Sequence, residues 1–503
     1  MSDANAPPGE LRETAEFPHD DPLNILDSPT AGARVIRGGA LRLGSYAAGV
    51  TIGIASAALL TRHLGVVDFG KYVIVTSLIA IVAGLTEAGI PNVAAREFAT
   101  RDRGDRDRLF VNVLGIRLAI AVAGVAAATL FALGADYDRT MVLGTVLAGI
   151  GLLIATIQQT YAIPIGVSLR FGWLSTLDLL RQAVFVAIVV MLVLAGAGLL
   201  AFFAATIPAA VLLLVLVGWV VRGSAPLLPR FERSEWLAIV RLVGVYAAAA
   251  AVGTIYVSAV IVTTSVVGTP DDSGYLGAAF RIFSVISAIP LLLVSTAFPV
   301  LARAAHTDPE RLQYSVQRLF DIALIVGSWL ALSTVFGAEI AIDVVAGSEF
   351  APAVPVLQIL GAALLTTFLG VTGGLSLVSL HRHVALLVGN LAALSALVVV
   401  TAALVPAVGA KGAAVAMLVA DCVLVSIYAV ILFGSRRIRY DAKLVPRIAL
   451  AASLAGALAV LPLGGLALVL TATVVYWAVL FVIRGVPGEV IDALLRREPR
   501  RSP

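Results

Sequence analysis

Residues 109–133 read LFVNVLGIRLAIAVAGVAAATLFAL, an apolar run interrupted by a single charge, Arg117. A helix rising about 1.5 Å per residue carries such a run across the roughly 30 Å hydrocarbon core of a bilayer. On one side it is bounded by Arg101, Arg103, Arg106 and Arg108, on the other by Asp136 and Asp138. Lysine and arginine collect on the cytoplasmic side of membrane helices, so this stretch specifies both a crossing and its direction.

Similar runs recur to either side. Of 503 residues 60% are hydrophobic and 13% charged, with a mean hydropathy of +1.00, far more apolar surface than a soluble fold can hide. The runs predict spans at about 39–61, 71–91, 109–133, 141–163, 175–196, 198–221, 237–263, 276–300, 319–343, 354–379, 384–405, 412–433, 447–462 and 464–483. Glycine and alanine within them suit close helix packing in lipid, and a barrel would instead show short alternating segments. The loops check this parse. Even-numbered loops are basic, from Arg96 to Arg108, then Arg170, Arg222 with Arg230 and Arg233, Arg303 with Arg311, Arg382, and Arg436 to Lys443. Odd-numbered loops offer only Arg62, Lys71, Arg139 and Lys411, and several are acidic. The expectation is an all-α, polytopic plasma (inner) membrane protein with fourteen transmembrane helices and both ends cytoplasmic.

Residues 1–36 are polar, without the apolar core of a signal peptide, and read as a disordered cytoplasmic tail; 485–503 read as a second. The formal charge of +4 follows from topology-setting loops and implies no nucleic-acid partner. An internal echo divides the rest. Leu64-Gly-Val-Val-Asp-Phe-Gly-Lys-Tyr72 precedes span two, and Val267-Gly-Thr-Pro-Asp-Asp-Ser-Gly-Tyr275 precedes span eight. Each leads through an apolar run to Pro91-Asn-Val-Ala-Ala-Arg96 or Pro299-Val-Leu-Ala-Arg303. Six spans per repeat predict two parallel six-helix lobes, 37–221 and 237–434, with a pathway between them. A cytoplasmic linker, 222–236, joins them, and 435–484 form an extra helix pair.

Several enzyme classes are excluded. Cys422 is the single cysteine, so neither a disulfide nor a thiolate metal centre can be assembled. No P-loop, Gly-x-Ser-x-Gly or His-Glu-x-x-His motif occurs, and His381, Arg382 and His383 read as loop residues without metal partners. No loop is long enough to carry the catalytic acids of a membrane polysaccharide polymerase. The chain is expected to be no enzyme and to need no cofactor.

Beyond the first hairpin motif, Leu64–Tyr72 with Glu87-Ala-Gly-Ile-Pro-Asn-Val-Ala-Ala-Arg-Glu97, three further stretches stand in order. They are Gly274-Tyr-Leu-Gly-Ala-Ala-Phe-Arg281 with Phe298-Pro299, Gly347-Ser-Glu-Phe-Ala-Pro-Ala353, and Leu404-Val-Pro-Ala-Val-Gly-Ala-Lys-Gly-Ala-Ala414. Together they resemble the polysaccharide-unit flippases of the multidrug/oligosaccharidyl-lipid/polysaccharide exporter superfamily, over roughly residues 35–435. The resemblance implies a V-shaped carrier that moves an isoprenoid-diphosphate-linked oligosaccharide between leaflets by alternating access. The terminal helix pair is similar to that of the lipid II flippase branch, and cation-coupled multidrug antiporters share the six-plus-six layout.

Such a carrier needs fixed positive charge and hydrogen-bond donors within the membrane, where ionisable side chains face a polar interior. Arg117 lies about 12 Å into its span and is the first candidate for the diphosphate, since a guanidinium grips phosphate bidentately. A structural pair with Asp178 or Asp421 is the alternative. Arg281, on a face with Tyr275 and Ala278, could hold a head group after transit or snorkel to the outer surface, and Arg42 lies near the inner interface, where it can bind the substrate or snorkel. Gln158, with Gln159 and Tyr161, and Asn390 could bind sugars or serve helix contacts. Asp421 is the candidate site for a coupling proton or sodium ion, while Asp178 and Arg181, three apart, could satisfy each other. Pro208 and Pro290, lacking N–H groups within spans six and eight, are candidate hinges.

Overall fold

The computed structural model describes residues 31–91, 94, 97, 103–167, 171–220, 231–307, 309–434, 440–462 and 464–485. The expected tails, up to residue 30 and beyond 485, and linker residues 222–230 lie outside them. The first six helices are α1 (Ala31–Glu87), α2 (Arg103–Gly134), α3 (Arg139–Val167), α4 (Phe171–Leu194), α5 (Leu199–Ala204) and α6 (Thr206–Val220). Next come α7 (Arg233–Val267), α8 (Pro270–Thr307), α9 (Pro309–Val345), α10 (Ala353–Ser379), α11 (His383–Val408) and α12 (Ala410–Phe433). The last two are α13 (Val445–Ala457) and α14 (Gly465–Val482). No strand occurs among the described residues.

Thirteen stretches of the described residues are long and apolar enough to cross a membrane, the first being Thr51–Glu87. Straight, α1 would run about 85 Å, nearly three hydrocarbon thicknesses. It bends instead at Gly65, whose φ of 68° and ψ of −178° lie in a region open to glycine alone. The bend makes two limbs of one helix, where the sequence predicts spans one and two.

Which loops meet confirms the alternation. At one end Thr61 Oγ1 donates to Val345 O (3.0 Å), Arg62 Nη2 to Val344 O (2.9 Å), and Lys71 Nζ to Asp138. His63 Nε2 lies 2.9 Å from Ala197 O, and the Ala410 N–H donates to Asp272 Oδ1. These contacts join loop one to loops three, five and nine, and loop seven to loop eleven. At the other end Arg108 grips Glu232 and Arg382 Nη1 donates to Ile431 O. Gln317 exchanges two hydrogen bonds with the Asp441 backbone. A miscounted span would have mixed the two sets.

Helices α2–α6 pack on one another and on α1, and α7–α12 pack mainly among themselves. Helix α1 also lies against α7 and α8, joining the two groups. Helices α13 and α14 pack on α9, where buried Tyr476 donates to Ile325 O at 2.9 Å.

Two predicted spans differ in detail. Span six is two helices that break at Ala205; Pro208, three residues on, has no N–H for the Ala204 carbonyl. Span seven, expected at 237–263, bends at Gly244 (φ 46°, ψ −136°), leaving Gly244–Val267 as its crossing. Before the bend, Ile239 packs with Ile90, Leu109 and Val113 of the first group. Helix α8, by contrast, runs unbroken through Pro290.

Candidate functional site

A cavity enters the first helix group from the even-loop end. Its shallower chamber, about 440 Å³, has Glu87, Pro91, Arg117, Gln159 and Asp178 in its wall. The deeper one, about 680 Å³, is walled by α1, α3, α4, α6 and, from the second group, Arg281 and Ser284 of α8. Gln158, Arg181 and Leu213 border both chambers, so the two adjoin. Serine, threonine and glutamine side chains bring hydrogen-bonding groups to a region that otherwise consists of apolar helices.

Arg117 is 1% exposed. Its Nε donates to Thr86 O (3.2 Å), Nη1 to Thr160 Oγ1 (2.8 Å) and Nη2 to Gln159 Oε1 (3.1 Å). All three acceptors are neutral, and Arg117 has no carboxylate within ion-pair distance among the described residues. The alternative of a structural pair with Asp178 or Asp421 is therefore not what is seen. Three of the five guanidinium N–H groups are spent on the wall, leaving two.

Arg281 is different. It lies eleven residues after Pro270, about 17 Å along α8. Its exposed side chain lines the deep chamber and has no hydrogen-bond or ion-pair partner among the described residues. Arg181 of α4 joins it there, its side chain 54% exposed and only loosely paired with Asp178 at 3.9 Å. The i,i+3 spacing hid Arg181 from the sequence reading by suggesting a self-satisfied pair. The signal that could have found it is position: it lies six residues inside the predicted span 175–196.

Gln158 is nine-tenths buried and borders both chambers. Asn390 does not reach the cavity. Its Nδ2 donates to Ala249 O and its Oδ1 accepts from Tyr428, both at 2.9 Å, so the amide is spent on joining α7, α11 and α12. Arg42 belongs to a stretch of α1 whose side chains lie outside the described residues.

Asp421 is also away from the cavity, 3% exposed among α7, α10 and α12. Its two oxygens accept from Tyr256 Oη (2.5 Å) and Thr367 Oγ1 (2.7 Å). Among the described residues no cation pairs with it. No group of three or more metal-ligating side chains is found among those residues either.

A protein-family model described as polysaccharide biosynthesis protein matches residues 59–355. Among curated proteins none matches the chain by sequence. A solved structure of the lipid II flippase MurJ, in an inward closed conformation, superposes with a TM-score of 0.74 at 12% identity, covering 92% of this chain and 100% of that one. An inward-facing multidrug resistance MATE transporter of the MOP superfamily gives a TM-score of 0.60 at 14% identity, over 79% of this chain and 97% of its own. With more than half of its length inside the family model, the chain belongs to the polysaccharide biosynthesis protein family, and its helices are arranged as in these two solved structures.

Proposed function

We propose that the protein is a flippase that moves an isoprenoid-diphosphate-linked oligosaccharide from the inner to the outer leaflet of the plasma membrane by alternating access. The observation that carries this reading is Arg281, an unpaired guanidinium deep within a polar cavity, with Arg181 in the same chamber and Arg117 in the adjoining wall. Three cations against Glu87 and Asp178 leave the cavity net positive, which suits a diphosphate and opposes the cationic substrates of an antiporter. The basic even-numbered loops support a cavity mouth on the cytoplasmic side, where the lipid-linked unit is made available. The tail stays in lipid while the head group is screened from it.

Asp421 is the coupling candidate. A buried carboxylate without a counter-ion is costly, so it favours a bound proton or sodium ion, and Tyr256 and Thr367 orient its oxygens. A lipid II flippase would use the same phosphate chemistry, and the lipid's mass distinguishes the two readings.

Lipid extraction from cells lacking the protein tests the reading. The expected result is accumulation of one polyprenyl-diphosphate-linked sugar, identified by mass spectrometry. No accumulation, with surface polysaccharide intact and new sensitivity to cationic compounds, would replace the flippase with an antiporter.

A further inference from the structure

We propose that the α1–α4 wall of the deep chamber is a sugar-reading subsite, in which Ser56, Gln182 and the bare backbone at Gly53 select the sugar carried on the diphosphate. The proposal rests on the flippase reading above and adds to it where the sugar is recognised.

Ser56 lines the chamber, is 1% exposed, and its hydroxyl has no hydrogen-bond partner. A helical serine or threonine commonly returns its O–H to the carbonyl four residues back, as Thr61 does to Ala57 O at 3.0 Å. Leaving that bond unmade in a buried place is unfavourable unless a ligand completes it. Gly53, three residues earlier on the same helix face, also lines the chamber, and a Cβ there would meet nothing within 4 Å. The chamber therefore reaches the α1 backbone at this point. At Gly49, one more turn back, the Gln182 amide lies so close to α1 that a Cβ would sit 2.6 Å from its Oε1. That amide has no hydrogen-bond partner among the described residues.

Along successive turns of α1 the wall thus presents the Gln182 amide of α4 beside Gly49, the open backbone at Gly53 and the Ser56 hydroxyl, in a strip about 10 Å long. Phe185, one turn beyond Gln182 on α4, adds a ring to the same wall. The chemistry of the strip separates the two parts of the substrate. A diphosphate only accepts hydrogen bonds and is matched by the arginines. Sugar hydroxyls donate and accept, as serine and glutamine do, and the C–H face of a pyranose packs on an aromatic ring. Absence of a side chain at Gly53 sets how bulky a ring the wall admits.

The test compares two probes on the full-length protein in lipid nanodiscs, undecaprenyl diphosphate and undecaprenyl-diphosphoryl-N-acetylglucosamine. Wild type is expected to bind the sugar-bearing probe more tightly. Ser56→Ala and Gln182→Ala should each erase about tenfold of that preference, and Gly53→Leu should abolish it, with binding of the sugar-free probe held within twofold. Ser56→Thr, which keeps the hydroxyl, should restore it, and unchanged melting temperatures exclude misfolding. Arg281→Ala should weaken both probes together. Variants that keep the wild-type preference, or that weaken both probes equally, overturn the subsite. Wild type that binds both probes alike removes the subsite and leaves the carrier standing; wild type that binds neither sinks the flippase reading itself.

Discussion

Where Gly70 and Gly274 meet at the odd-loop end, the backbones of α1 and α8 touch. A Cβ at Gly274 would lie 2.3 Å from Val66 O, and one at Gly70 would lie 2.5 Å from Pro270 O. Hydrogen bonds from Thr61 and Arg62 to the last carbonyls of α9 lie beside this contact. Toward the even-loop end a cavity occupies the first group, with Arg117, Arg181 and Arg281 in its walls. One end closes through small residues and satisfied carbonyls, and the other keeps polar groups without partners. In the proposed carrier, a contact that opens and recloses gains from having little charge to desolvate. A chamber for a charged head group gains from donors that only the substrate can satisfy.

The largest expected effect comes from breaking the closed end. In a Cys422→Ser background, Gly274→Val should force α1 and α8 apart, since the atom it meets belongs to the backbone. Transport should fall more than tenfold, and a cysteine placed at Thr61 should become reactive to a membrane-impermeant thiol reagent. Unchanged reactivity would mean that this contact does not seal the protein.

Next come the two deep arginines. Arg281→Ala should cut transport about a hundredfold, by removing an unshared charge-assisted contact worth about 3 kcal/mol, with little change in thermal stability. Arg117→Ala should instead lower stability by about 1–3 kcal/mol, because Thr86 O, Thr160 and Gln159 lose their donor, and lower transport as well. Equal melting temperatures for the two variants would remove this distinction between wall and chamber.

A smaller effect is expected at Gly244. Any side chain at its φ of 46° and ψ of −136° is strained by about 1–3 kcal/mol, although a Cβ there would meet nothing. Gly244→Ala should slow transport several-fold without touching ligand affinity, and a matched loss of affinity would contradict this.

The smallest concerns Lys71 and Asp138. Burial pushes the Asp138 carboxyl up, but hydrogen bonds from Lys71 Nζ and the Met141 N–H outweigh it and hold it below the usual range. A depressed folded-state value means the link contributes above the ordinary carboxylate value of about 4. It is lost as pH falls through the lower, folded-state value. Lys71→Met should therefore flatten any acid dependence of the closed end, and an acid dependence that survives the substitution would locate its origin elsewhere. Both partners are partly exposed, so the effect is modest.

The crossings were legible because lipid makes the requirement local: each run must be apolar along its own length. Charge in the loops added direction. Depth was legible too, and placed Arg117 well inside the membrane. What surrounds a residue at that depth depends on partners from distant parts of the chain, Thr86, Gln159 and Thr160 in this case. That is why Arg117 read as open and is enclosed, while Arg181 read as paired and faces the chamber. Asn390 illustrates the same limit, because an amide serves a helix contact or a sugar equally well until its neighbours are known. The bends at Gly65 and Gly244 were hidden for a different reason. A glycine inside an apolar run looks like a packing residue, whereas proline advertises itself, and α8 passes through Pro290 without a break.

Among the described residues the final helix pair packs mainly on α9, fastened by Tyr476 on Ile325 O and by Gln317 on Asp441. It widens one half of the molecule and not the other. In a viscous bilayer, two bodies that rock against each other share the rotation inversely to their drag. If the proposed carrier rocks, the broader half should act as the anchored arm and most of the swing, measured against a fixed lipid reference by paired spin labels, should fall to α1–α6; equal swings would show that the pair adds no drag.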